Sequence, residues 1–189
     1  MWCIEELGVP HEHIDLPQAR PKQEPAYLAM NPNGLVPTIE DDGFILWESN
    51  SCVCYIAAKC GAGTLCPSEL RQRVDAERWM HWQLTTLSTP SWTIFLGLVL
   101  TKPEQRDMAA ITAASKRFNE LWTIVDKVLA TRRFVASDQL TIGDIPMGIA
   151  AYRWFTTPVQ RDRHPNFEAW YGRLTERPAF KKYVMTPLL

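Results

Sequence analysis

The sequence has no uninterrupted apolar run long enough to cross a bilayer, which excludes a simple membrane-spanning helix. Its opening residues, Met-Trp-Cys-Ile-Glu-Glu, lack both a basic flank and a small-residue cleavage motif, so they do not read as a signal peptide. No stretch gathers lysine and arginine. The 20 basic residues are balanced by 21 acidic ones, and a formal net charge of -1 argues against nucleic acid as a partner. There is no CxxC pair and no histidine close to the cysteines, so tetrahedral zinc spacing is missing even though Cys52, Cys54, Cys60 and Cys66 fall close together. Cys52 and Cys54 stand two apart in what reads as a helix and so face different ways. With Cys3 the cysteine count is odd. Without a secretion signal, that points to reduced thiols, a cytoplasmic setting and no metal.

What is present is apolar substance: 46% of the 189 residues are hydrophobic, enough for a core without metals or disulfides. The first half is mixed. Residues 1–8 read as the end of a helix closed by Gly8, and the alternating His11-Glu12-His13-Ile14-Asp15 as a short strand. A polar loop with Pro17 and Pro21 leads to a helix over 24–30, ended by Asn31-Pro32-Asn33-Gly34. Strands are expected over 36–40 and 44–47 around an Asp41-Asp42-Gly43 hairpin turn, then a helix from Ser49 to about Lys59. After Pro67 the pattern turns helical. A helix over 68–100 should bend at Pro90, and 104–131 is the most regular, with Met108, Ile111, Phe118, Leu121, Trp122, Val125, Val128 and Leu129 on one face. Further helices are expected after Thr141-Ile142-Gly143-Asp144, over 166–176 and over 178–184. The order is αβαββα followed by helices, an α/β plus all-α chain dividing at 1–63 and 67–189.

Two segments carry the chemistry. In Leu35-Val36-Pro37-Thr38 a proline opens a strand although it cannot donate to the ladder. Either the Val36–Pro37 bond is cis, turning the N–H and C=O of Val36 outward to pair with an extended peptide, or it is an ordinary trans bond at an edge strand. In Trp47-Glu48-Ser49-Asn50 a strand hands over to a helix. Ser49 suits an N-cap, the N–H groups there attract a carboxylate, and Glu48 can accept an ammonium group. The plainer alternative is a helix cap beside a solvated charge.

Taken together, Leu28 to Pro37, Leu46 to Asn50, Thr141 to Asp144, Pro165-Asn166-Phe167, Trp170-Tyr171 and Thr175 to Ala179 resemble the cytosolic glutathione S-transferases, in particular their bacterial theta- and beta-like branch. The resemblance covers essentially the whole chain. It implies a thioredoxin-like glutathione-binding domain followed by an all-helical domain. It also implies conjugation of glutathione thiolate to small electrophiles, a detoxifying activity, by a homodimer. Val36, before the cis Pro37, would pair with the cysteinyl backbone of glutathione. Glu48 and Ser49 would hold its γ-glutamyl end, and Lys22 its glycyl carboxylate. Thr141 and Asp144 resemble the family's capping box, a folding device. Trp92, Phe95 and Leu96 would border the second substrate, although aromatic residues at helical spacing also serve as core.

The sequence departs from the family at its start. The family places a strand and a turn ahead of the helix that ends in Cys3 to Gly8, and that turn carries the group that hydrogen-bonds the glutathione sulfur. About 15 to 20 residues of that kind do not precede Met1. The thiolate-stabilising residue is therefore expected upstream of Met1, and Cys3 lies about two helical turns past its place. A start placed too late in the reading frame is preferred to a natural short form, because the chain opens inside a helix. The missing strand would sit between the 11–15 and 36–40 strands, so low stability, a borrowed strand or a local rearrangement is expected. Two other functions compete: a non-catalytic module of transferase fold that binds glutathione or a protein, and a thiol-disulfide oxidoreductase using Cys52 and Cys54.

Overall fold

The computed structural model describes residues 1–16 and 24–188. The N-terminal elements are α1 (Trp2–Glu6), α2 (Pro25–Met30), strands β1 (Thr38–Asp41) and β2 (Phe44–Trp47), and α3 (Ser49–Cys60). Everything that follows is helical: α4 (Leu70–Trp82), α5 (Ser88–Phe95), α6 (Met108–Leu129), α7 (Asp144–Thr156), α8 (Pro165–Thr175) and α9 (Pro178–Tyr183). A small sheet with helices thus leads into an all-helical part.

The two strands pair antiparallel, Thr38 with Trp47 through Asp41 with Phe44. Asp42 and Gly43 make the turn with φ of 51° and 84°, the mirror-image geometry whose twist suits a two-residue hairpin. α3 packs on both strands and on α1. The alternating segment 11–15 is not a strand. Alternation supplies a face but not a neighbour: among the described residues the sheet is β1–β2 alone, and Ile14 is 71% exposed.

The bend expected at Pro90 takes another form. Two π-helical segments, Gln83–Leu87 and Leu96–Leu100, flank α5. Pro90 offers no N–H to the carbonyl one turn back and its ring crowds that carbonyl, so a widened turn just before it relieves the clash.

The core is aromatic. Trp122, Trp154, Trp170, Phe118 and Phe167 are all almost fully buried, and Trp122 stacks on Phe167 at 4.1 Å. α6 presents the expected face, except that Met108 at its first turn is exposed. The Thr141–Asp144 pair forms half of the expected box: Asp144 reaches back to Thr141, but the Thr141 hydroxyl does not cap the helix. The buried Asp144 carboxylate accepts from the N–H and hydroxyl of Thr141, from Val135 N–H at 3.0 Å and from Trp170 Nε1 at 2.9 Å. Burial raises this carboxyl above the usual range, while those donors oppose the shift.

α1 is held at both ends of the chain's path. Trp2 lies edge-on to Phe180 at 4.8 Å, Glu6 pairs with Arg177, and Glu5 with Lys182 at 2.9 Å. Gly148 makes room for this contact: a Cβ there would stand 2.8 Å from Leu174 Cδ1 and 2.9 Å from Trp2 Cζ3.

Candidate functional site

The Val36–Pro37 bond is cis. The strand begins at Thr38, two residues later than the sequence suggests, which leaves Val36 and Pro37 in the approach to the sheet. Val36 is 55% exposed, and among the described residues neither its N–H nor its C=O has a hydrogen-bond partner. The approach is fixed from α2. Buried Asn31 donates through Nδ2 to Leu35 C=O at 2.7 Å and to Thr38 Oγ1 at 3.1 Å. Its Oδ1 accepts from Asn33 N–H at 3.1 Å. Tyr27, one turn earlier, donates its hydroxyl to Leu35 C=O at 2.7 Å and lies 2.8 Å from Thr38 Oγ1. This clamp turns inward the carbonyl just before Val36 and leaves the polar groups of Val36 able to pair with an extended chain. Sequence reasoning took Asn31 only as part of a turn. The signal for more was a side-chain amide directly before Pro32, where it can bond two residues ahead.

The β2–α3 junction differs in detail from expectation. Glu48, not Ser49, holds the cap position, with φ of 72°, and its carbonyl receives Cys52 N–H at 2.9 Å. A non-glycine residue at that φ is strained, and such strain concentrates at functional sites. Ser49 is the first helical residue and makes no capping hydrogen bond; both side chains are exposed. The first N–H groups of this 12-residue helix have no intrahelical acceptor and carry its positive dipole end. The hairpin brings the two segments to one end. The last paired residues are Thr38 and Trp47, so Val36-Pro37 leads into β1 and Glu48-Ser49 leaves β2 at the open end of the hairpin. An exposed peptide edge, a carboxylate, a hydroxyl and a helix N-terminus therefore lie at one end of the sheet. Asn50 Nδ2 donates to Met80 C=O at 3.3 Å, tying this end to α4.

The thiols point away from chemistry. Cys3 is buried, its Sγ directed at Val53 C=O, and burial pushes its thiol up to about 12. Cys52 aims at Leu46 C=O at 3.6 Å and is pushed up to about 11 by burial; Cys54 aims at Met80 Sδ at 3.7 Å and is also raised by burial. Cys52 and Cys54 face different elements, as their spacing requires, and neither is a thiolate near neutral pH.

Of the residues expected near a second substrate, Trp92 and Phe95 stack at 5.5 Å, with Trp92 50% and Leu96 37% exposed. They form an open strip on α5 and the turn after it, while Ile94 between them packs inward. Arg153 on α7 lies over the Phe95 ring at 5.2 Å, a neighbour that sequence reasoning missed because the two residues meet only through tertiary packing. Lys22 lies outside the described residues. No described helix is long and apolar enough to cross a membrane.

Comparison with known proteins bears on the family and the fold. Residues 1–59 match the family model of the glutathione S-transferase N-terminal domain, and residues 89–178 that of the C-terminal domain. The chain is 42% identical over 191 residues to glutathione S-transferase GstB of Escherichia coli K12, covering 100% of this chain and 92% of that protein. It superposes with a TM-score of 0.94 on the theta-class glutathione S-transferase of Xanthomonas axonopodis pv. citri with glutathione bound. That pair is 40% identical, covering 100% of this chain and 91% of the other. A glutathione S-transferase-I bound with lactoylglutathione shares the fold, with a TM-score of 0.89 at 22% identity over 100% of this chain and 91% of its own.

Proposed function

Since this chain belongs to the glutathione S-transferase family, we propose that it binds glutathione at the open end of its hairpin and conjugates the thiol to small electrophiles. The observation that carries this is the pairing of Thr38 with Trp47, which leaves Val36-Pro37 and Glu48-Ser49 together at that end. The N–H and C=O of Val36, beside Pro37, take the cysteinyl backbone. Glu48 takes the γ-glutamyl ammonium, and the Ser49 hydroxyl with the start of α3 takes its carboxylate. Lys22 is assigned the glycyl carboxylate. The electrophile lies along Trp92, Phe95 and Leu96. We assign residues 1–63 to the glutathione-binding domain and 67–189 to the helical one, and the setting is cytoplasmic.

Conjugation needs a donor to the glutathione sulfur, because the thiolate is the nucleophile. Cys3 is unsuited: it is buried and held protonated. The test is a conjugation assay with glutathione and chlorodinitrobenzene on this chain and on its Ser49→Ala variant. Turnover that Ser49→Ala lowers supports the enzyme reading. Glutathione binding without turnover supports the alternative, a non-catalytic module that binds glutathione or a protein.

We further propose a homodimer in which the glutathione domain of one subunit meets the helical domain of the other. Leu70 and Val74 support this: they lie one turn apart on α4 and are 70% and 52% exposed.

A further inference from the structure

Beside Phe95 lies a cavity of about 210 Å³, walled by α7, by α9 and by the tail that follows α9. Its apolar walls come from Phe95, Ile149 and Val184, with Tyr152 and Tyr183 adding aromatic faces. The tail is fastened there by the Tyr152 hydroxyl, which donates to Thr186 C=O. A cavity of about 150 Å³ accepts benzene, so this one has room for a single substituted ring or a short acid.

Among the described residues of its lining, one carries a formal charge. Arg153 reaches the cavity from α7 with its guanidinium over the Phe95 ring at 5.2 Å. No ion pair among the described residues involves it, unlike Arg132 and Arg177, which each meet a carboxylate of a distant segment. No acidic residue is among the described residues that line the cavity. Burial lowers the Arg153 pKa from its usual value. An aromatic face stabilises a guanidinium only in part, and a desolvated guanidinium presents a planar fork of donors suited to a carboxylate.

We infer that Arg153 is a specificity-determining residue that selects a second substrate carrying a carboxylate, seated with its ring or chain against Phe95 and its acid group on the guanidinium. This deepens the reading of Trp92, Phe95 and Leu96 as the second-substrate strip and rests on it. The carboxylate only anchors and takes no part in bond making.

The experiment is a calorimetric titration of para-nitrobenzoate and its neutral isostere para-nitrobenzamide into the 189-residue chain, Arg153→Met and Arg153→Lys, each checked for folding by thermal melting. The expected result is benzoate preferred over amide by at least about tenfold, as one charge-assisted pair supplies. That preference should vanish in Arg153→Met while amide binding is kept, and survive in part in Arg153→Lys. Equal binding of the two probes, binding of neither, or a preference that persists in Arg153→Met overturns the assignment. Chlorodinitrobenzene turnover is measured separately. If it is absent while the benzoate preference holds, the transferase reading fails and the anion site stands.

Discussion

Asn31 reaches from α2 to Thr38 at the head of β1, with Nδ2 at 3.1 Å from Thr38 Oγ1 and 2.7 Å from Leu35 C=O. One buried amide therefore sets the path of the backbone on both sides of Val36. Asn31→Ala leaves these acceptors short of a donor in a buried place. It should cost about 1–3 kcal/mol of stability and weaken glutathione binding beyond that loss of folded protein. Urea unfolding and calorimetry read the two effects. Tyr27→Phe, which leaves the Asn31 bonds in place, should do the same more mildly. Unchanged stability in both variants contradicts the clamp.

Gly148 should tolerate no side chain. A methyl group there meets Leu174 and the Trp2 ring at less than 3 Å, and the Trp2 ring, packed edge-on against Phe180, has little room to yield. Gly148→Ala is expected to destabilise by about 1–3 kcal/mol despite the better helix propensity of alanine. A melting temperature equal to the parent's contradicts the packing.

Thiol chemistry should be confined to Cys60, the one fully exposed cysteine among the described residues. In native protein near neutral pH, a disulfide dye should find one fast thiol, and Cys60→Ser should remove it. The raised Cys3 pKa also makes an alkaline prediction. Its stabilisation is complete below the unfolded thiol's value near 9 and is lost as pH rises toward the folded value of about 12. Tyr171, pushed up from 10 to about 12 by burial, acts in the same direction. Melting temperature should therefore fall steadily above pH 9, and less steeply in Cys3→Ala. A flat profile contradicts the burial of both groups.

If α4 carries the subunit contact, Val74→Glu should convert a dimer to a monomer in sedimentation velocity without changing the melting of the monomer. A parent chain that sediments as a monomer at micromolar concentration, or a variant that stays dimeric, contradicts it.

The sequence was most legible where one local pattern sufficed. Asp42-Gly43 marked the hairpin, Gly8 and Gly61 marked helix ends, and the spacing from Ile111 to Leu129 marked α6 and its buried face. It misled where a pattern needs a partner. His11 to Asp15 alternates like a strand, but among the described residues no strand lies beside it. Pro90 stood out as a break in the helical pattern, but the two π-helical segments that flank α5 did not, because the sequence shows the clash and not the form its relief takes. At the site, the types and order of Val36, Pro37, Glu48 and Ser49 were visible. The strain at Glu48 and the amide clamp of Asn31 were not, since both depend on how the approach to β1 is held. Arg153 and Phe95 are 58 positions apart and become neighbours only when α7 packs against α5.

The most direct test of the proposed site is a calorimetric titration of glutathione into the 189-residue chain and its Ser49→Ala variant, with cysteinylglycine, which lacks the γ-glutamyl end, as the comparison ligand. The account predicts that glutathione binds the parent chain, that Ser49→Ala weakens it about tenfold or more, as losing a hydrogen bond to a charged group does, and that cysteinylglycine binding is the same in both. Glutathione that does not bind, or that binds parent and variant alike, contradicts a γ-glutamyl site at the start of α3.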